Sequence, residues 1–130
     1  MKQKVTLLFL LVAALSALAF APGALAKTVV IDAGHGGIDR GGIPYQRFPE
    51  KVVALQIAQL LQSKLRAAGY NTVMTRTGDY FVGLRERCDM ANAQRNAVFV
   101  SIHTNSDPHG TGIGIETYYY TRQSARLASA

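Results

Sequence analysis

Three short runs of strand-forming residues, TVVID at 28–32, NTVMT at 71–75 and AVFVSI at 97–102, alternate with stretches of helical periodicity. Parallel neighbours in a sheet need a long crossover connection, usually a helix, and that crossover is right-handed almost without exception. The order therefore predicts an α/β fold, a twisted, mostly parallel or mixed sheet flanked by helices. Ligands of such sheets bind in the crevice beyond the carboxyl ends of the strands. Residues that directly follow each strand are where function is sought.

The first helix is expected to open at Pro49-Glu50, because proline tolerates the first helical turn, where no amide partner is needed. Val53, Ile57, Leu60, Leu61 and Leu65 then recur at three- and four-residue intervals until Gly69 interrupts them. Leu84 to Asn96 carries apolar or small residues at 84, 88 and 91 and predicts a second helix, with Cys88 as a small buried side chain. The intervening TRTGDYFVG reads as a loop whose Thr and Asp supply turn and capping oxygens. TVVID and AVFVSI read as buried strands. Beyond TNSDPHGTG, the run Ile113 to Thr121 predicts a fourth strand, and TRQSARLASA the start of a helix.

The amino terminus has a different character. Met1-Lys2-Gln3-Lys4 leads into 16 mostly apolar residues, Val5 to Phe20, followed by Pro22-Gly23 and Ala24-Leu25-Ala26. This is the order of a secretory signal, and the apolar run falls short of the roughly 20 residues that span a bilayer. Cleavage after Ala26 is expected, with no stable membrane span afterwards and an exported product in the periplasm, outside the cell or at the cell wall. Residues 27–130 then form one small domain of 104 residues, and the formal charge falls from +6 to +4 because Lys2 and Lys4 depart. A mildly basic exported domain suits an acidic envelope glycan; nucleic acid would attract the same charge, but export argues against it.

Two histidines stand just beyond strands, His35 in the glycine-rich AGHGGIDRGG and His103 at the end of AVFVSI, and Glu50 opens the helix that leaves the same sheet edge. Two imidazoles and a carboxylate are a common ligand set of a hydrolytic zinc ion, which keeps a fourth position open. The single cysteine, Cys88, excludes both an intrachain disulfide and a thiolate-rich structural zinc site. His109, in DPHGTG, is the rival ligand and reads as a loop residue. The glycine loop is not GxGxxG, and no GK[ST] follows it, which argues against nucleotide binding. Asp32 and Asn105 are near enough in sequence to be hydrogen-bond partners of the ligand histidines.

IDAGHGGIDRGG, PEKVVALQIAQLLQSKLRAAGY, TRTGDYFVGLRER, FVSIHTN and GIETYYY, taken in order, resemble the zinc-dependent N-acetylmuramoyl-L-alanine amidases of bacterial cell walls, from about Thr28 onward. The resemblance implies zinc on His35, Glu50 and His103, and peptidoglycan as substrate. It further implies hydrolysis of the amide between N-acetylmuramic acid and the first L-alanine of the stem peptide.

One departure accompanies the match. Such amidases are expected to carry a second glutamate, the general base, on a late strand, whereas the glutamates here are Glu50, Glu86 and Glu116. No catalytic base is assigned. Two explanations stand: a C-terminally truncated catalytic domain whose sheet is incomplete, or a degenerate relative that holds zinc. A non-catalytic zinc-holding module that binds peptidoglycan, and a metallopeptidase acting within the stem peptide, are the alternative functions.

Overall fold

The computed structural model describes residues 27–42, 48–104 and 114–129. Its elements in order are β1 (Thr28–Ala33), α1 (Glu50–Ala67), β2 (Asn71–Met74), α2 (Leu84–Asn92), β3 (Ala97–Ile102) and α3 (Arg122–Ala128). The three strands form one parallel sheet in the order β2-β1-β3, the α/β arrangement that the alternation of runs predicts. Ile31 lies beside Met74 on one side and Val100 on the other, which brings the carboxyl ends of the strands to a common edge.

β1 is central, and its alternate side chains serve two different faces. Val29, Ile31 and Ala33 point into an apolar core with Ala58 and Met74, sealed by Leu55, Leu61 and Leu65 of α1 and by Val100 and Ile102 of β3. Asp32 points to the opposite face. The closest approach of α1 to the sheet is made by alanines: Ala54 and Ala58 are fully buried, while Ile57 and Leu60 of the expected apolar stripe remain substantially exposed. A helix seated on a sheet of small area meets it along a narrow line, and small residues permit the closest contact there.

The ends of α1 follow local rules. Glu50 stands in its first turn and Lys64 and Arg66 in its last, each favoured by the helix dipole. Gly69, at φ +84°, adopts the left-handed conformation that closes the helix, with Gly69 N–H donating to Arg66 O and Tyr70 N–H to Leu65 O.

Several expectations are corrected. α2 ends at Asn92 rather than Asn96, and Asn96 itself is left-handed at φ +53°, turning the chain into β3. Cys88 is exposed, as is Leu84; the buried residue of α2 is Arg87, so a polar contact rather than the apolar spacing orients this helix. β3 is only half-buried, because it forms an edge of the three-stranded sheet and its Phe99 faces outward. Residues 114–121 form no strand, and Ile115, Tyr118 and Tyr120 are among the most exposed side chains. A β-forming run becomes a strand only where a sheet edge takes its N–H and C=O groups, and here none does. Residues 1–26, His109, Asn105 and Ile113 lie outside the described residues. Among the described residues no helix is long and apolar enough to cross a membrane.

Candidate metal centre

His35, Glu50 and His103, 68 residues apart at the extremes, come together beyond the carboxyl edge of the sheet. β1 runs out into the loop that carries His35, β3 ends one residue before His103, and Glu50 is the first residue of α1. The facing atoms form a near-equilateral triangle: His103 Nδ1 lies 3.0 Å from His35 Nε2 and 3.1 Å from Glu50 Oε1, with His35 Nε2 3.2 Å from that same oxygen. A tetrahedral ion with metal–ligand bonds of about 2.0–2.1 Å holds its ligand atoms roughly 3.3 Å apart. The donor set and its spacing fit such an ion.

Hydrogen bonds to groups outside the triangle orient two of the three candidate ligands, His35 and Glu50. His35 Nδ1–H donates to Asp39 Oδ2 at 2.9 Å, which leaves Nε2 as the lone-pair atom facing Glu50 and His103. That bond, with further help from Gly41 N–H, holds the Asp39 carboxyl below the usual carboxylate range, so it is ionised at neutral pH. Glu50 is 4 % exposed, and its Oε1 also accepts the Thr104 N–H at 2.7 Å, tying the exit of β3 to the start of α1. The two imidazoles meet edge to face, with ring centroids 4.7 Å apart. The His103 side chain is 45 % exposed, so the centre opens to solvent on that side.

A Cβ built on Gly34 would lie 2.5 Å from the His103 ring, closer than side chains approach. One built on Gly41 would meet the His35 ring at 2.3 Å. These two glycines make room for the two imidazoles. Gly34→Ala is expected to push His103 aside and weaken metal binding by at least about 10-fold, the lower end of the cost of disturbing a ligand's surroundings. Isothermal titration with Zn²⁺, alongside circular dichroism to show that the fold persists, checks this; unchanged affinity contradicts it.

Asp32 is not a partner of either histidine. It accepts hydrogen bonds from Thr75 Oγ1 at 2.6 Å, Arg87 Nη1 at 2.6 Å and Ser101 Oγ at 2.7 Å, joining β1, β3, α2 and the segment after β2. Burial by itself would raise its pKa, but the hydrogen bonds from Thr75, Ser101 and Arg87 and the guanidinium charge outweigh burial and hold it below 3.8. A carboxyl depressed in the folded state stabilises the fold fully above its unfolded pKa, and the contribution is lost as pH falls through the lower folded value. Urea denaturation from pH 6 down to pH 2 is therefore expected to lose stability more steeply below about pH 4 in the parent chain than in Asp32→Asn. Parallel curves would contradict this.

Sequence reasoning missed Asp39, Lys51, Arg76, Asp79 and Arg87. Asp39 had a readable signal, an acid four residues after a ligand histidine inside the same glycine loop. Asp79, expected to supply turn or capping oxygens, instead accepts from Gly37 N–H and Lys51 Nζ, and the helix after it has no side-chain cap. Lys51, Arg76 and Arg87 had no signal, since an isolated charged residue reads as solvated. Yet Arg87 donates to the carbonyls of Val82, Ala33 and His35, holding the His35 backbone at its left-handed φ of +60°. Lys51 Nζ donates to Gly37 O and to Asp79 Oδ2, both at 2.7 Å, and Gly37 N–H donates to Asp79 Oδ1. Glu86 and Glu116 are exposed and do not join the three ligands.

Known proteins are similar to this chain in sequence and in fold. The family model described as N-acetylmuramoyl-L-alanine amidase matches residues 29–130. An uncharacterised protein of Bacillus subtilis, YqiI, is 42 % identical over 107 residues, covering 79 % of this chain and 51 % of its own. The N-acetylmuramoyl-L-alanine amidase AmiA of Escherichia coli is 36 % identical over 104 residues, covering 80 % of this chain and 36 % of its own. Among solved structures, the catalytic domain of the amidase CwlV from Bacillus (Paenibacillus) polymyxa var. colistinus superimposes with a TM-score of 0.74 at 38 % identity, covering 79 % of this chain and 59 % of that one. An N-acetylmuramoyl-L-alanine amidase from Clostridium difficile 630 gives 0.73 at 40 % identity, covering 81 % and 60 %. The chain thus spans about half or less of the length of the curated relatives it matches. By the match of its sequence and the likeness of its fold, the chain belongs to the N-acetylmuramoyl-L-alanine amidase family.

Proposed function

We propose that residues 27–130 are part of the catalytic domain of a peptidoglycan hydrolase, with His35, Glu50 and His103 as zinc ligands, and that residues 1–26 are a signal peptide directing it out of the cytoplasm. The bond cleaved is the amide between the lactyl group of N-acetylmuramic acid and the L-alanine of the stem peptide. The observation that carries the reading is the triangle of two imidazole nitrogens and one carboxylate oxygen with edges of 3.0 to 3.2 Å, open to solvent beside His103. Membership of the amidase family supports the choice of reaction.

A zinc ion held by His35, Glu50 and His103 would supply Lewis acidity toward an amide carbonyl and a water molecule. The chain's own residues would hold and orient that ion. Asp39 fixes the tautomer of His35, so that Nε2 needs no proton loss to serve as a ligand. Glu50, buried and tied to Thr104, brings one negative charge to offset a divalent cation. The exposed flank of His103 leaves room for a substrate carbonyl to approach.

The test is zinc analysis of the purified chain together with digestion of sacculi. About one zinc per chain is expected, with release of stem peptides beginning at L-alanine that a chelator abolishes and added zinc restores. Zinc retained with sedimentation on sacculi but no product would overturn the hydrolase and favour a wall-binding module. New amino termini at other residues would make the protein a peptidase.

A further inference from the structure

Arg76 is fully buried at 0 % exposure, yet its guanidinium is spent on backbone carbonyls. Nε donates to Ala33 O at 2.9 Å and Nη1 to Gly78 O at 3.0 Å, while Nη2 donates to both Gly34 O and Lys51 O, each at 2.7 Å. Gly34 immediately precedes His35, and Lys51 immediately follows Glu50. A single nitrogen therefore spans the two segments that carry two of the three ligands. We propose that Arg76 is a positioning residue which sets the distance between the His35 loop and the Glu50 end of α1, so that the metal centre is formed before the ion arrives. This inference rests on the zinc-site reading above.

Glu50 and His35 belong to separate elements, and the ligand triangle is lost if the start of α1 slides relative to the loop by an ångström. A planar fork with five donors holds several fixed carbonyls at once, whereas a lysine offers a compact ammonium on a flexible stem. Other bonds brace the same junction and converge on Lys51: its backbone N–H donates to Arg40 O at 3.2 Å and its ammonium to Gly37 O. Arg76 is the brace that is out of solvent, so water does not compete for its carbonyls.

The test titrates Co²⁺ into metal-free full-length chain and follows its visible absorption, for the parent, Arg76→Lys and Val29→Ala. Val29 sits in the apolar core at the far end of β1, so its truncation lowers Tm without touching the site. Arg76→Lys is expected to weaken Co²⁺ binding by about 10–100-fold and to alter the ligand-field band. Val29→Ala should keep the parent band and an affinity within about twofold. An Arg76→Lys protein with the parent's affinity and band, or equal losses in both variants, overturns the positioning role.

Should Arg76→Lys fail to fold, hydrogen exchange at the Arg76 Nε–H of the parent decides instead. Saturating Zn²⁺ is expected to slow it by at least about 10-fold more than it slows the backbone amides of β1, because opening those bonds then requires releasing the metal, whereas global stabilisation slows both alike. Equal slowing, or unchanged exchange, overturns the proposal. A parent chain that binds neither Co²⁺ nor Zn²⁺ overturns the zinc-site reading, and the positioning role with it.

Discussion

Glu50→Gln is expected to lower the affinity for zinc by at least about 100-fold, since disturbing even an outer partner of a ligand costs about 10–100-fold. The substitution isolates charge from shape. Glutamine keeps an oxygen for the Thr104 N–H, now received by Oε1 at 2.7 Å, and fills the same 4 % exposed niche. What it removes is the single negative charge among the three ligands. Two neutral imidazoles and an amide are a poor set for a divalent cation, whose hydration must be replaced by donors of comparable strength. Glu50→Ala should behave likewise toward zinc and also lose about 1–3 kcal/mol of stability, because the Thr104 N–H then lacks its acceptor. Metal content after dialysis, read beside the urea midpoint of each variant, separates the two effects. One zinc per chain in both variants would remove Glu50 from the site.

Arg87→Met should be the most damaging single change to the fold itself. The Arg87–Asp32 pair is closed at 2.6 Å with both side chains only 6 % exposed, and removing one partner of a buried pair costs about 3–5 kcal/mol. Three carbonyls, those of Val82, Ala33 and His35, lose a donor at the same time. Against a total stability of about 5–15 kcal/mol for a domain of this kind, the loss leaves a substantial unfolded population. Asp32→Asn in the same chain removes the stranded charge, so the double variant is expected to be less unstable than the sum of the two single changes. Denaturation of all four proteins in urea measures the coupling. A loss below about 1 kcal/mol in Arg87→Met would mean that water already shares the site.

The strands at 28–33 and 71–74, the 18-residue helix that begins at Glu50, and the three candidate ligands were legible in the sequence. Periodicity reports burial over many residues at once, and a ligand placed directly after a strand inherits its position from the sheet. Cys88 and residues 114–121 were misread for a related reason. Spacing describes which side chains share a face, not whether anything covers that face. The polar buttress behind the site escaped altogether, because Arg76 and Arg87 are charged residues with unremarkable neighbours. Only their long-range contacts, 25 to 55 residues away along the chain, distinguish them from solvated surface.

What this chain's sequence determined alone is its alternation of strand and helix and the residue types from which a zinc site can be made, for both are local properties of spacing and side-chain chemistry. The tertiary structure decided that His35 and His103 would lie 3.0 Å apart across Glu50, that Asp39 rather than Asp32 would orient an imidazole, and that two arginines would bind the carbonyls where β1 ends. Those outcomes depend on the parallel register of β1 with β3 and on the seat of α1 against the sheet, which arise only when distant segments bury their apolar surface together.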